Sequence, residues 1–347
     1  NTMSTQAIAS DYAVASGTAS TPDALLARLE RLPITRRLKA IRVIVGLSTF
    51  FDAYTIIAIA FALPQLTQEW GLTPTFVGLI IAASYVGQLC GALFFGSLAE
   101  KIGRIGVLRI TIIMFVLMDA ACLFAWNGWS ILVIRFLQGV GIGAEVPVAS
   151  AYINEFVGAK KRGRFFLLYE VIFPIGMMFA GLVGYFLVPI YGWKVMFLIG
   201  LVPSALTVPL RWLMPESPRW YAMRSQKEKS LKVLTSLSNP GHAERLYAEI
   251  RTSIAIDSAL LSTPTPRGIL RDKKSCYILW IGCAIAVLQQ VSGINILMYF
   301  APSLLQNVTG NTQDSLFQSI FLGLALLAGV SIALVAFDRV GRIPLLR

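Results

Sequence analysis

Gly96-Ser97-Leu98-Ala99-Glu100-Lys101-Ile102-Gly103-Arg104 closes one long apolar run, and Phe337-Asp338-Arg339-Val340-Gly341-Arg342 closes another far down the chain. Each copy sets an acid, a base and one apolar residue ahead of Gly-Arg. The glycine permits a tight turn at a helix end, and the charges can bond exposed helix termini or pair across helices. One such copy is weak evidence. Two copies at equivalent places in a series of apolar runs mark a duplicated architecture.

Outward from these turns, about eight apolar runs have membrane-spanning length. They cover roughly 43–64, 75–98, 107–126, 130–156, 165–188, 193–213, 276–305 and 316–337. The chain has 347 residues, 56% hydrophobic and 14% charged, whereas soluble proteins carry about 25% charged residues. Composition therefore makes this an all-α integral membrane protein. The net charge of +12 does not signal nucleic acid, because the basic residues fall in short blocks between apolar runs. That is the positive-inside pattern. Arg28, Arg31, Arg36, Arg37, Lys39 and Arg42 place the N-terminus in the cytoplasm. The links carrying Lys101, Arg104 and Arg109, then Lys160, Lys161, Arg162 and Arg164, also lie inside, while the outside links add only Lys194. Cys90, Cys122, Cys276 and Cys283 lie in apolar runs without metal or redox spacing and read as small buried hydrophobes. His242 stands in a polar segment and reads as solvated.

This organisation divides the chain in four. Residues 1–27 are a Ser/Thr/Ala-rich tail, predicted disordered and lacking the apolar core of a signal peptide. Residues 28–214 form a six-helix bundle, and 215–275 a cytoplasmic linker in which 228–236 and 243–256 predict short amphipathic helices. Residues 276–347 begin a second bundle, with its seventh and eighth spans and a cytoplasmic loop. Neither Asn1 nor Arg347 looks like a natural boundary, so the sequence predicts a fragment.

Inside the seventh run stands Gln289-Gln290-Val291-Ser292-Gly293-Ile294-Asn295, continuing to Tyr299. Polar groups left facing lipid cost several kcal/mol each, so the cluster reads as the lining of a solute cavity or as glue between helices. On a regular helix Asn295 points about 120° away from Gln289. A backbone break at Gly293 brings the two together. Asp52 and Arg135 are intramembrane charges, functional candidates by default. At 1.5 Å per residue they lie about 15 Å above the inner edge and about 9 Å below the outer edge of a layer about 30 Å thick. An arginine side chain reaches across the remaining depth, so the two are expected to pair. Glu145 and Glu170 are further intramembrane acids, for each of which a structural pair stands beside a ligand or proton role. Asp119 has no partner legible in sequence and reads as peripheral. Glu100, Arg104, Glu155, Arg162, Glu216, Arg219, Asp338 and Arg342 gather at the cytoplasmic face and read as a gating charge network.

These residues resemble the major facilitator superfamily, in its sugar-porter branch and the related metabolite:proton symporters. The resemblance is carried by the duplicated acid-base-x-Gly-Arg turns and by Pro215-Glu216-Ser217-Pro218-Arg219 after the sixth span. It is carried also by Arg135 with Gly139, Gly141 and Gly143, by Tyr152-Ile153-Asn154-Glu155, and by Gln289-Gln290-x-Ser-Gly-Ile-Asn295. Together they cover nearly everything from Asp52 onward. The resemblance implies two six-helix bundles around a midplane site, working by alternating access. It implies that Gln289, Gln290, Asn295, Tyr299 and Glu170 bind substrate, and that Asp52, Arg135 and Glu145 couple protons. Protonation of Asp52 from outside then releases Arg135 and favours loading; deprotonation inside restores the pair. Two positions depart from the sugar-porter pattern. Glu170 stands where a sugar-binding glutamine is usual, and Leu326 where a sugar-contacting asparagine is usual.

The leading expectation is a proton-coupled transporter taking up a small polar solute, a sugar first. An organic or aromatic acid such as a nicotinate-like solute, or another metabolite, comes second. A non-transporting membrane sensor on the same fold is the alternative from another class. No nucleophile–base pair, metal cluster or phosphate loop is legible, so the expectation is no enzyme, no metal and no cofactor beyond a proton gradient. The expected partners are the solute, protons and the lipid bilayer, with no nucleic acid. The expected state is a monomer in the plasma or cell inner membrane. Asn307-Val308-Thr309 is a glycosylation sequon on the predicted outside.

Overall fold

A computed structural model describes residues 36–156, 171–237, 240–260, 273–300, 321, 323–332 and 336. The first six long helices are α1 (Arg36–Trp70), α2 (Pro74–Ile102), α3 (Arg104–Leu123), α4 (Gly128–Asn154), α5 (Ile172–Tyr191) and α6 (Lys194–Trp212). Three shorter helices follow: α7 (Pro218–Met223), α8 (Lys227–Leu237) and α9 (Pro240–Leu260). Then comes α10 (Lys273–Val291). The helix resumes at 294–300, and a shorter apolar helix covers Gly323–Ile332. Among the described residues seven helices are long and apolar enough to cross a membrane, the last being Leu279–Phe300.

The first span runs beyond the sequence expectation, continuing through Pro64 to Trp70. A proline inside a helix forfeits one backbone hydrogen bond, which neighbouring helices in a bundle can absorb. Those neighbours are close here. From Ala53 to Leu66 most side chains of α1 are buried, on every side of the helix. A helix apolar all round belongs at the centre of a bundle. Accordingly, α1 packs against α5 and α6, while α3 packs against α4 and α6.

The most extensive helix pair is α2 with α4. Gly87 and Gly91 of α2 lie against the backbone of Phe136 and Val140, and Gly139 and Gly143 of α4 lie against that of Ser84 and Gln88. A Cβ at any of the four would overlap a facing carbonyl. Small residues at such a seam let two backbones approach as side-chain packing in lipid requires. The outer helix starts are fixed locally. Thr73 accepts from the Phe76 amide at 3.3 Å, and Asn127 and Ser130 form a reciprocal capping box with the Ser130 amide at 2.7 Å from Asn127 Oδ1.

Helices α8 and α9 pack on one another through Leu234, Ala243 and Leu246, and α7 contacts both. They seat on the end of α2, where Trp220 Nε1 donates to the Glu100 carbonyl at 3.0 Å and Arg224 to the Lys101 carbonyl at 2.6 Å. His242 lies exposed in α9. Of the cysteines only Cys122 is fully buried; Cys90 and Cys283 are exposed on their helices, which corrects their reading as core residues. The chain after the linker meets the first bundle through Met298, Tyr299, Phe300 and Leu326.

Candidate functional site

Four helices each contribute a polar stripe to the middle of the bundle. On α4, Arg135, Gln138 and Glu145 fall within about 80° of one another at ~100° per residue. On α3, Thr111 and Asp119 lie about 80° apart by the same rule, and on α1 Asp52 and Thr55 about 60° apart. Ser204, Thr207 and Arg211 do likewise on α6, within about 60°. All ten side chains are buried, Arg135 at 0% exposure and Arg211 at 1%. A buried charge must be compensated, so the partners of these groups decide what the seam does.

Toward the C-terminal end of α6, Arg211 forms a two-pronged ion pair with Glu145, its Nη1 at 3.0 Å from Oε2 and its Nη2 on Oε1. Arg211 Nη1 also donates to the Leu108 carbonyl at 2.6 Å, and Thr111 Oγ1 donates to Glu145 at 3.3 Å. Further along, Arg135 Nη1 donates to Gln138 Oε1 at 2.5 Å and to the Thr55 carbonyl at 3.3 Å. Gln138 Nε2 in turn donates to Asp119 Oδ1 at 2.6 Å, and Thr55 Oγ1 to Asp119 Oδ2 at 3.3 Å. Asp52 lies within electrostatic reach of Glu145, Arg211 and Asp119, and its Oδ2 is buried without a hydrogen-bond partner among the described residues.

This arrangement differs from the expected Asp52–Arg135 pair. Depth along the membrane normal allowed that pair, but the stripe of α4 turns Arg135 onto Gln138, and Asp52 sits nearer the Glu145–Arg211 pair. Asp119 is not peripheral; it is fully buried and holds the far end of the Arg135 chain. Sequence reading missed Gln138, Thr111 and Arg211 as well. Their helical spacing to Arg135, Asp119 and Thr207 was the available signal, and Arg211 was hidden by its place at the end of a span.

The polar segment of the seventh span breaks at Gly293, whose φ of +79° favours glycine. The break brings Asn295 Nδ2 onto Gln290 Oε1, and Ser292 Oγ donates back to the Gln289 carbonyl at 2.6 Å. Gln289 and Gln290 are exposed and Asn295 is half-buried. Tyr299 goes the other way: it is 2% exposed, among apolar residues of the first bundle. Its ring meets Tyr85 edge-on, with centroids 5.8 Å apart, and both phenols lie within electrostatic reach of Arg135.

At the turn between α2 and α3 Arg104 pairs with Glu155 at 3.1 Å. Glu216 caps the start of α3, accepting from the Arg104 and Ile105 amides at 3.0 Å each. Burial raises its carboxyl above the usual range, against the lowering effect of the Ser217, Arg104, Ile105 and Gly106 amides. Gly103 has φ +96°, and a Cβ there would run into this carboxylate. Ser217 caps α7, accepting from the Arg219 amide at 3.2 Å, while Arg219 Nη1 donates to Ser253 at 3.3 Å. Glu100 takes part through its carbonyl, with its side chain exposed. Glu170, Arg162, Asp338, Arg342 and the Asn307 sequon lie outside the described residues.

The family model described as "Sugar (and other) transporter" matches residues 39–347. The niacin transporter NiaP of Acinetobacter baylyi is 35% identical over 61% of this chain and 48% of its own length. The benzoate transport protein of the same organism is 36% identical over 55% of this chain and 42% of its own length. The chain thus spans about half the length of these relatives, or less. Among solved structures, a partially occluded inward-open conformation of the xylose transporter XylE from E. coli superposes with a TM-score of 0.76. It covers 89% of this chain and 75% of that one at 22% identity, a likeness of fold.

Proposed function

Because the chain belongs to the sugar (and other) transporter family, a multi-pass membrane family of the major facilitator fold, we propose that it carries a small organic solute across the membrane coupled to protons. One observation carries the coupling. Asp52 is buried at mid-bundle with Oδ2 unpartnered, while the neighbouring Glu145 holds an arginine of its own. Three buried carboxyls, Asp52, Asp119 and Glu145, face two buried guanidiniums, Arg135 and Arg211. Charge in a low-dielectric interior must balance, so one carboxyl carries a proton, and Asp52 is the one without a direct partner for its free oxygen. The proton gradient supplies the energy and no cofactor enters.

The solute is a small aromatic acid in the reading we favour. The niacin and benzoate transporters support it, as does Leu326 standing where a sugar contact is usual. Leu326 packs among apolar residues of the first bundle. A sugar is the second reading, supported by the Gln289-Gln290-x-Ser-Gly-Ile-Asn295 segment and the likeness to a xylose transporter. The positive-inside pattern supports a cytoplasmic N-terminus in a plasma or inner membrane. Uptake by the full-length protein in proteoliposomes tests all this, with labelled nicotinate, benzoate, glucose and xylose, with and without an inward proton gradient. Accumulation of an acid only with the gradient is the expected result. Gradient-driven sugar accumulation selects the second reading, and gradient-independent equilibration of any solute contradicts coupling.

A further inference from the structure

Arg135 is fully buried, yet only Nη1 of its guanidinium is engaged, on Gln138 and the Thr55 carbonyl. Nε and Nη2 are both buried and without a hydrogen-bond partner among the described residues. Those two nitrogens are not a random pair. Their N–H bonds point the same way along one edge of the planar guanidinium, the edge that accepts the two oxygens of a carboxylate. Leaving two donors of a charged group unsatisfied in an apolar interior is costly, and such a group in a native structure calls for a partner that comes and goes. The other half of Arg135 is held: Gln138 bonds Nη1 and is itself held by Asp119, so the open edge is fixed in direction.

Tyr85 of α2 and Tyr299 of the resumed seventh span meet edge-on, and both lie within electrostatic reach of Arg135. Tyr299 also belongs to the segment that carries Gln289, Gln290 and Asn295, and it packs among apolar residues of the first bundle.

Resting on the transport reading above, we infer that the Nε/Nη2 edge of Arg135 is the anchor for the carboxylate of the solute, with Tyr85 and Tyr299 flanking its ring. The solute class is therefore a small aromatic monocarboxylate rather than a sugar. The carboxylate reaches Arg135 when Tyr299 parts from Tyr85. The same geometry explains coupling to protons. An incoming carboxylate adds one negative charge to the buried seam, and the proton that enters with it offsets that charge.

The test is direct binding to the purified full-length protein, comparing nicotinate with nicotinamide and benzoate with benzamide. Each pair differs in the charged fork-acceptor alone. The unmodified protein is expected to prefer the acids by about 10- to 100-fold, the worth of a buried charge-assisted contact. Arg135→Gln is expected to bring that ratio near one, and Arg135→Lys, which keeps the charge but loses the fork, to an intermediate value. Equal binding of acid and amide by the unmodified protein overturns the assignment, whatever the variants do. An acid preference that survives in Arg135→Gln also overturns it, by placing the anion elsewhere. Because binding is read without transport, these failures are distinct from a failure of the transport reading, which shows as absence of gradient-driven accumulation.

Discussion

Arg211 and Glu145 are each almost fully buried, and each satisfies the other. Such a pair adds little net stability, but breaking it is expensive because one charge remains in an apolar interior. Arg211→Met is therefore expected to cost about 3–5 kcal/mol, and the double variant with Glu145→Gln to recover most of it. Thermal unfolding of the detergent-solubilised protein measures both; equal losses in single and double variants would show that packing of the Arg211 stem matters more than its charge. The contrast with Asp52 and Arg135 is instructive. Both were legible as charges in hydrophobic runs, and their depths along the membrane were close enough to suggest a pair. Depth does not give direction around a helix axis, however, and it was the i, i+3 neighbour Gln138 that claimed Arg135. Asp119 was misread for the same reason, since its partners come from two other helices.

Among the helices, the close approach of α2 and α4 fixes the frame on which the polar seam is built. Gly139 lies on the Ser84 carbonyl, and a larger residue would push α4 and its Arg135–Gln138 stripe away from α2. Gly139→Val is expected to abolish a monodisperse peak in size-exclusion chromatography, whereas Gly78→Val, on the partner helix α2 but with nothing near it, leaves the peak intact. A normal profile for Gly139→Val would contradict the tight seam. The glycine run at 139, 141 and 143 was legible in sequence as part of a family pattern, while its partners Gly87 and Gly91 were not singled out. Helix ends were harder to read. Hydropathy falls near Pro64, yet α1 continues to Trp70 because packing by α5 and α6 outweighs one lost backbone bond. The cap on α3 comes from Glu216, far along the chain, which only the fold brings to the Gly103 turn.

For the molecule as a whole, the fold class followed from the periodic apolar runs and the repeated turn, because span length and loop charge depend on residue type alone. The site did not follow so fully, because it is assembled from four helices of the first bundle and one aromatic residue of the seventh span. Gln289, Gln290 and Asn295 were visible as polar residues in an apolar run. The open edge of Arg135 and the unpartnered oxygen of Asp52 appear only when the helices are placed together. On the proposed reading, solute entry and proton entry are a single event governed by Asp52. Simultaneous recording of labelled benzoate or nicotinate uptake and internal pH in proteoliposomes of the full-length protein tests it most directly. The unmodified protein is predicted to acidify the vesicle interior as solute enters, and Asp52→Asn to lose both acidification and uphill accumulation while keeping solute exchange. Solute accumulation without proton movement, or coupled acidification persisting in Asp52→Asn, would contradict the account.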